Sequence, residues 1–196
     1  KLYIFLNAWY LTGPERNAIQ RKLAINHAAA LWFYAPGYIS GKGISLTAMK
    51  ELTGIAIAST ATSSPVDINI PDNNPLRPGQ SATFGMPKGV TVKPVFFSSD
   101  KAAKVIGTLQ NSQQPGFVMK KVNGYTSYFC TIPALPASWL RRIAEKAGVH
   151  IYSRDDDAVY ACHDYLAIHT SPRSGLRTLT LPGKTTVKRL YPASND

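Results

Sequence analysis

A chain of 196 residues holds one full domain, or a domain with a small appendage, and its 44% apolar content is enough for a core. The formal charge is +11, from 22 basic and 11 acidic residues. The basic pairs Arg21-Lys22, Lys120-Lys121, Arg141-Arg142 and Lys188-Arg189 are scattered, which reads as a solvated surface and argues against nucleic acid as a partner. Two cysteines exclude a disulfide framework, and no apolar run approaches the roughly 20 residues of a membrane-spanning helix, so no membrane partner is expected.

The first third alternates between strand and helix patterns. Residues 2–9 form a near-continuous apolar run, the signature of a parallel strand covered on both faces. The chain opens inside this run without an initiator Met, from which a piece of a larger protein is expected. Thr12-Gly13-Pro14-Glu15 fits a capping box, and Ile19 and Leu23 follow at helical spacing, with Arg16, Gln20 and Lys22 left for solvent. Residues 29–35 predict a second buried strand, stopped by Pro36-Gly37. Ser45 caps a short helix through Leu46, Met49 and Leu52 that Gly54 ends, and residues 55–58 predict a third short strand.

The middle, residues 59–115, is rich in Pro, Gly, Asn and Ser. Residues 66–70 alternate like a half-exposed strand, residues 71–79 read as a loop, and residues 92–97 and 103–109 predict strands. Residues 117–122 and 125–132 flank Asn123-Gly124, a type I′ hairpin signal. Pro136 opens a helix whose Leu140, Ile143, Ala144 and Ala147 share a face and which Gly148 closes. Residues 149–152 predict a strand. Beyond the acidic turn Asp155-Asp156-Asp157, short strands are separated by turns at His163-Asp164, residues 172–175 and Pro182-Gly183, a spacing that implies antiparallel pairing.

Several of these segments resemble a known family when taken in order. Trp32-Phe33-Tyr34-Ala35-Pro36-Gly37-Tyr38-Ile39 and Leu52-Thr53-Gly54-Ile55 are similar to the start of the amidotransferase-like domain in β-galactosidase-type proteins. Pro133-Ala134-Leu135-Pro136, Leu140 to Arg142 and Ala147-Gly148-Val149-His150-Ile151-Tyr152 resemble its last helix and strand. Leu166-Ala167-Ile168-His169 and Arg177-Thr178-Leu179-Thr180-Leu181-Pro182 resemble the β segment that follows. The comparison is with the trimerisation domain of family-42 β-galactosidases and related large glycoside hydrolases. It covers roughly residues 1–58 and 117–191, while the middle matches poorly.

The resemblance implies a flavodoxin-like α/β fold, a mostly parallel sheet with flanking helices. It places an amidotransferase-like domain at residues 1–153 and a small antiparallel β-rich segment at residues 154–196. Active amidotransferases carry a nucleophilic Cys in a Gly-x-Cys-x-Gly turn. Here the third strand runs into Ser59-Thr60-Ala61-Thr62, and Cys130 and Cys162 occupy no such turn. No catalytic residue, cofactor or metal site is therefore expected. Both cysteines sit in apolar strands as buried thiols or as a single bridge.

Among other candidates, Tyr34, Pro36, Gly37 and Tyr38 lie at the C-terminal end of a predicted parallel strand, where open α/β sheets bind ligands. They form the one candidate pocket, with tyrosines to stack on a sugar, set against a plain turn that needs Pro and Gly. Cys162-His163-Asp164 offers relay residue types, but neighbours in a strand point to opposite faces, which favours a turn. His150 and His169 fall in apolar strands with no ligand at metal spacing. Asp155 to Asp157 read as a solvated turn, and Gly41-Lys42-Gly43 lacks P-loop spacing. The sequence thus points to a non-catalytic structural or oligomerisation module of a larger hydrolase. Its partners would be a catalytic barrel in the parent chain and copies of itself. The alternatives are a carbohydrate-binding accessory domain and an amidotransferase-like enzyme using Cys130.

Overall fold

The apolar runs at the start of the chain become neighbouring parallel strands in the computed structural model, which describes residues 1–77, 83–172 and 175–190. Strand β1 (Leu2–Phe5) leads through α1 (Gly13–Ile25) to β2 (Ala29–Phe33), every residue of which is buried. Helix α1 starts where Glu15 reaches back to accept from the Thr12 amide and hydroxyl, both at 2.7 Å. A short ribbon, β3 (Ile39–Ser40) with β4 (Gly43–Ile44), precedes α2 (Leu46–Thr53). The Ser45 hydroxyl caps α2 by accepting from the Ala48 amide, and Gly54 ends it at φ 72°, a left-handed conformation that costs glycine little.

Strand β5 (Ile57–Thr60) comes next, then β6 (Asp67–Asn69), β7 (Thr83–Gly85), β8 (Val95–Ser98), β9 (Lys104–Leu109), β10 (Pro115–Val122) and β11 (Tyr125–Cys130). The β10–β11 hairpin turns on Asn123 and Gly124, both at positive φ as a type I′ turn requires. Helix α3 (Ala137–Lys146) follows Pro136 and is closed by Gly148 at φ 73°. The chain divides into two compact units, Lys1–Val149 and His150–Asp196. The second contains the hairpin β12 (Ala158–Cys162) and β13 (Tyr165–His169), which turns at His163.

The sheet corrects the flavodoxin-like expectation. Its strand order is β1-β2-β11-β10-β9-β6-β7, mixed and curled. Only β1–β2 and β2–β11 are parallel, and the other four pairings are antiparallel. A parallel sheet needs a crossover before each new strand. Tight turns at Gln110 to Gln114 and at Asn123-Gly124 instead send β9, β10 and β11 back and forth. The third predicted strand leaves the sheet, since among the described residues β5 pairs only with β8, in a separate antiparallel ribbon.

Three further expectations change. Strand β1 is an outer strand with Ile4 46% exposed, not one covered on both faces. Residues 149–152 form no strand, and the Tyr152 carbonyl accepts from the Thr180 amide at 2.8 Å. Residues 175–190 carry no strand either, while residues 78–79 of the expected loop and 173–174 of the expected turn fall outside the described residues.

Central strands are buried on both faces, so alternate side chains feed two cores. Ala29, Leu31 and Phe33 of β2 join Phe117, Tyr128 and the α3 residues Trp139 and Ile143 on one side. Ala30 and Trp32 join Val118, Phe129, Leu23 of α1, and Met49 and Leu52 of α2 on the other. Trp32 is fully buried, stacks on Phe5 at 4.0 Å and donates from Nε1 to the Ser127 hydroxyl at 3.1 Å. That hydroxyl donates in turn to the Thr53 carbonyl at 2.6 Å, so the Trp32 indole and the Ser127 hydroxyl are both satisfied.

Candidate functional site

The candidate pocket residues Tyr34, Pro36, Gly37 and Tyr38 lie just beyond the C-terminal end of β2. The chain reverses there through a γ-turn, with the Ala35 amide bonded to the Phe33 carbonyl at 2.9 Å and Tyr34 at φ 61°. A left-handed tyrosine costs energy, so its surroundings must hold it. Its amide donates to the Cys130 carbonyl at 2.9 Å and its hydroxyl to the Pro94 carbonyl at 3.0 Å. Burial, and then the neighbouring Tyr38, push the Tyr34 phenol above its ordinary value. Tyr34 and Tyr38 both set an edge-to-face contact on buried Phe96, at 5.1 and 5.0 Å.

Gly37 is at φ 65°, and a Cβ there would lie 2.9 Å from Leu52 Cδ2 and 3.0 Å from Arg16 Nη1. Its close approach is therefore to the protein itself. Arg16 donates to the carbonyls of Leu11 at 3.0 Å, Ala48 at 2.9 Å and Gly37 at 2.8 Å, joining α1, α2 and the turn. Gln20 likewise donates to the Glu51 and Leu52 carbonyls. The solvent-facing role expected for Arg16 and Gln20 is thus replaced by a tie between two helices. Exposed helix carbonyls are strong acceptors that the sequence does not reveal.

A different concavity opens where β1 and β2 end. It has a volume of about 510 Å³, and its walls include Ile4, Leu6, Phe33, Phe84, Leu135 and Leu140. Its size suits a small molecule, but no cluster of polar groups converges on it, so it can bury an apolar side chain and supplies no acid, base or nucleophile. Sequence reasoning missed it because its walls come from four separate stretches of the chain, around Ile4, Phe33, Phe84 and Leu135. A smaller cleft of about 160 Å³ is lined by hydroxyl and amide side chains, among them Thr60, Thr62, Gln110 and Gln114, with Asp67. One carboxylate alone cannot perform the usual two-carboxyl glycoside hydrolysis.

The reactive residue types are committed elsewhere. Cys130 is fully buried, and burial pushes its thiol up to about 12 despite an opposing backbone hydrogen bond at Ile132. It is a neutral thiol with no path to substrate. Cys162 is exposed, contrary to expectation, and both cysteines are free thiols. His163 and Asp164 pair at 3.1 Å in the exposed hairpin turn. His150 donates from Nε2 to the Thr180 carbonyl at 2.8 Å, and His169 is exposed at the end of β13. Among the described residues, no group of three or more His, Cys, Asp or Glu side chains could hold a metal ion.

Two carboxylates have buried and paired side chains, Asp100 and, from the turn read as solvated, Asp157. Asp100 meets Lys120 at 2.7 Å with its side chain 9% exposed, and also accepts from the Ala56 and Ala102 amides. Burial works to raise its carboxyl, but these hydrogen bonds and the Lys120 charge outweigh it and hold the group below its ordinary value. Asp157 meets Arg177 at 2.6 Å and accepts from the Ser171 amide at 2.7 Å. The Ser171 amide leads in lowering its carboxyl; burial opposes it, and hydrogen bonds from Arg177 and the Ser171 hydroxyl add to the lowering.

No protein-family model matches the chain, and no curated protein sequence does. Solved structures do. The β-galactosidase of Bacillus circulans sp. alkalophilus is similar with a TM-score of 0.58 and 14% identity, over 81% of this chain and 25% of that one. The cold-adapted β-galactosidase of Rahnella sp. R3 gives 0.59 and 10%, again over 81% and 25%. A family-42 β-galactosidase of G. stearothermophilus gives 0.52 and 11%, over 81% and 24%. At such identities the likeness is one of fold. The chain spans about a quarter of the length of these enzymes, so what it shares with them is the architecture of one part of a large glycoside hydrolase.

Proposed function

We propose that this chain is a non-catalytic structural module of a larger glycoside-hydrolase-type protein, where it positions a catalytic barrel or builds an oligomer. One observation carries the reading: a fold that accounts for most of this chain accounts for only a quarter of several β-galactosidases. The committed state of Cys130, Asp100 and Asp157 supports a structural role. In this reading residues 1–153 form the main module and residues 154–196 a small β-rich appendage. The test is turnover of aryl β-galactosides and of glutamine by the purified chain. The expected result is no product above a buffer blank. Product formation abolished by replacing one Asp or Glu would overturn the reading for glycosides, and product formation abolished in Cys130→Ala would overturn it for acyl transfer.

A second reading, carbohydrate recognition, is favoured by the β12–β13 hairpin. Tyr160 and Tyr165 are 67% and 69% exposed, and the register puts them diagonally on one face. Two adjacent phenol faces suit stacking on sugar rings. Tyr34 and Tyr38 are the other candidates, but their edges are already engaged by Phe96. Titration with galactose and short β-galactosides, read by tyrosine fluorescence, separates the two sites through Tyr160→Ala and Tyr34→Phe.

A further inference from the structure

The cleft of about 160 Å³ lies within Lys1–Val149, where the end of β5, the start of β6 and the β9–β10 turn meet. Its backbone is fastened at three places. Thr60 pairs with Val95, Ser64 and Val92 exchange two backbone hydrogen bonds, and the Gln110 amide donates to the Asp67 carbonyl at 2.9 Å. The turn itself is closed by the Leu109 amide on the Gln114 carbonyl and the Gln113 amide on the Leu109 carbonyl, both at 2.8 Å. A cleft framed in this way exists before any ligand arrives, so little ordering is needed to fill it.

Its lining has two characters. Val66, Val95 and Leu109 are buried and give it an aliphatic part. Most of the remainder is hydroxyl and side-chain amide, with the carboxylate of Asp67. Asp67 is half-buried, and among the described residues no hydrogen bond or ion pair engages its carboxylate. Gln114 Oε1 accepts from the Ser112 hydroxyl at 3.0 Å, which leaves the amide nitrogen free to donate elsewhere. No Lys, Arg or His lines the cleft, although the chain holds 22 Lys and Arg and 4 His, so an anion would find no counter-charge there. No aromatic ring lines it either, so a nucleobase would have nothing to stack on. A hard cation wants six or more oxygens around it, which an aliphatic wall and a single carboxylate do not supply.

We infer that this cleft is a binding site for one neutral sugar ring. A pyranose presents C–H faces to aliphatic surface and a rim of hydroxyls to polar groups. A carboxylate or a side-chain amide carries two polar atoms and can hold two neighbouring hydroxyls at once. The volume sets the limit at a single ring, since it is below the roughly 300–1,000 Å³ that holds a drug-sized ligand. The inference goes beyond the structural reading, and because no tyrosine lines the cleft it does not draw on the tyrosine sites.

The experiment is a titration of the isotope-labelled full chain with galactose and with glucose. It is followed by nuclear magnetic resonance at the backbone amides of Leu109 to Gln114 and the side-chain amides of Gln110, Asn111 and Gln114. These signals should shift and saturate with a Kd in the millimolar range for at least one of the sugars, as suits a ligand of about a dozen non-hydrogen atoms. Asp67→Asn and Gln114→Ala should each weaken binding by about threefold to tenfold, the effect of one hydrogen bond, while Tyr160→Ala leaves it unchanged. Unshifted amides elsewhere in the spectrum check that each variant folds, and the wild-type titration needs no variant. Inorganic phosphate should shift none of the cleft signals. A drift with both sugars that stays linear to roughly 200 mM, or saturation that both cleft variants leave unchanged, would overturn the inference. So would phosphate or calcium saturating the same amides, and so would sugar binding that leaves the cleft unshifted and is lost in Tyr160→Ala. None of these results bears on catalytic silence, so the structural reading stands or falls separately.

Discussion

The two units are held together by different physics. Among the described residues, every fully buried apolar side chain belongs to Lys1–Val149, on the two faces of one sheet. From His150 onward Ser153 is the only described residue buried as a whole, and the Asp157 side chain, also polar, is buried too. Order there rests on polar ties: Arg177 on Asp157, Asp157 on the Ser171 amide, and His150 and Tyr152 on Thr180. A two-stranded hairpin with little core is marginal on its own. Apolar burial makes stability that is insensitive to moderate pH, whereas a carboxylate-centred clasp makes stability that depends on it.

The sharpest way to probe the first kind of order is to remove its centre. Trp32→Ala empties the volume that the indole fills beside Phe5 on one face of the sheet and takes one donor from the Ser127 hydroxyl, and should cost about 3–5 kcal/mol. Denaturant melts of the whole chain would register it as a lower midpoint. Tyr160→Ala, at a site 67% exposed in the second unit, should change the same midpoint by less than about 0.5 kcal/mol. Comparable losses at both sites would break the contrast.

A smaller effect comes from the ion pair of Asp100 with Lys120 in the apolar unit. Asp100→Ala leaves the Ala56 and Ala102 amides without their acceptor and Lys120 without its partner, at a cost of about 1–3 kcal/mol. Lys120→Met, which removes one partner but leaves those two amides bonded, should cost less. Equilibrium unfolding of the two variants gives the order directly.

Local chemistry was readable from the sequence, and long-range chemistry was not. Thr12 with Glu15, Ser45 with Gly54, and Asn123-Gly124 each set a cap or turn by residues no more than nine positions apart, and each forms as read. The strand order is fixed by which hairpins stack, and nothing in residues 55–58 says that they will pair with Val95–Ser98. The apolar groove gathers residues 4 to 140, so its walls share no motif. Tyr34 adopts a left-handed φ without being glycine or asparagine, and only its contacts with Pro94, Cys130 and Phe96 explain that. Asp100 and Lys120, like Asp157 and Arg177, are 20 residues apart and look like ordinary surface charges until the fold joins them.

Acid should separate the units. Asp100 and Asp157 both have carboxyls held below their ordinary value. For such groups the folded state binds its proton later than the unfolded chain does. Their stabilisation is complete above the unfolded value, about 3.9, and is lost as pH falls through the lower folded value. In Lys1–Val149 that loss is set against a large apolar core, while in His150–Asp196 it removes the main clasp. Limited proteolysis between about pH 5 and pH 3 should therefore cut in the second unit first. Arg177→Met should bring that cleavage to higher pH, since the guanidinium helps keep Asp157 ionised. Simultaneous loss of both units would show that one cooperative core holds them.

The least effect on stability, and the cleanest label of the contrast, belongs to the two thiols. Cys162 ends β12 in the exposed hairpin, while Cys130 is fully buried at the end of β11 with its thiol pushed up to about 12. The thiolate is the reactive form, so a water-soluble disulfide reagent at pH 8 should modify Cys162 rapidly and leave Cys130 untouched until the chain unfolds. The sign for stability is opposite to that of the carboxylates. A raised thiol value means that the unfolded chain loses its proton first. The Cys130 contribution is therefore whole below the free thiol value of about 8.5 and declines as pH rises above it. Mass spectrometry of the labelled chain should show one modified thiol under native conditions and two in denaturant, with Cys162→Ser showing none and one. Rapid native labelling of Cys130 would mean that the core between β2 and β10 opens readily. The first unit would then owe its order to something other than apolar burial, and the comparison with the second would fail where it is drawn most strongly.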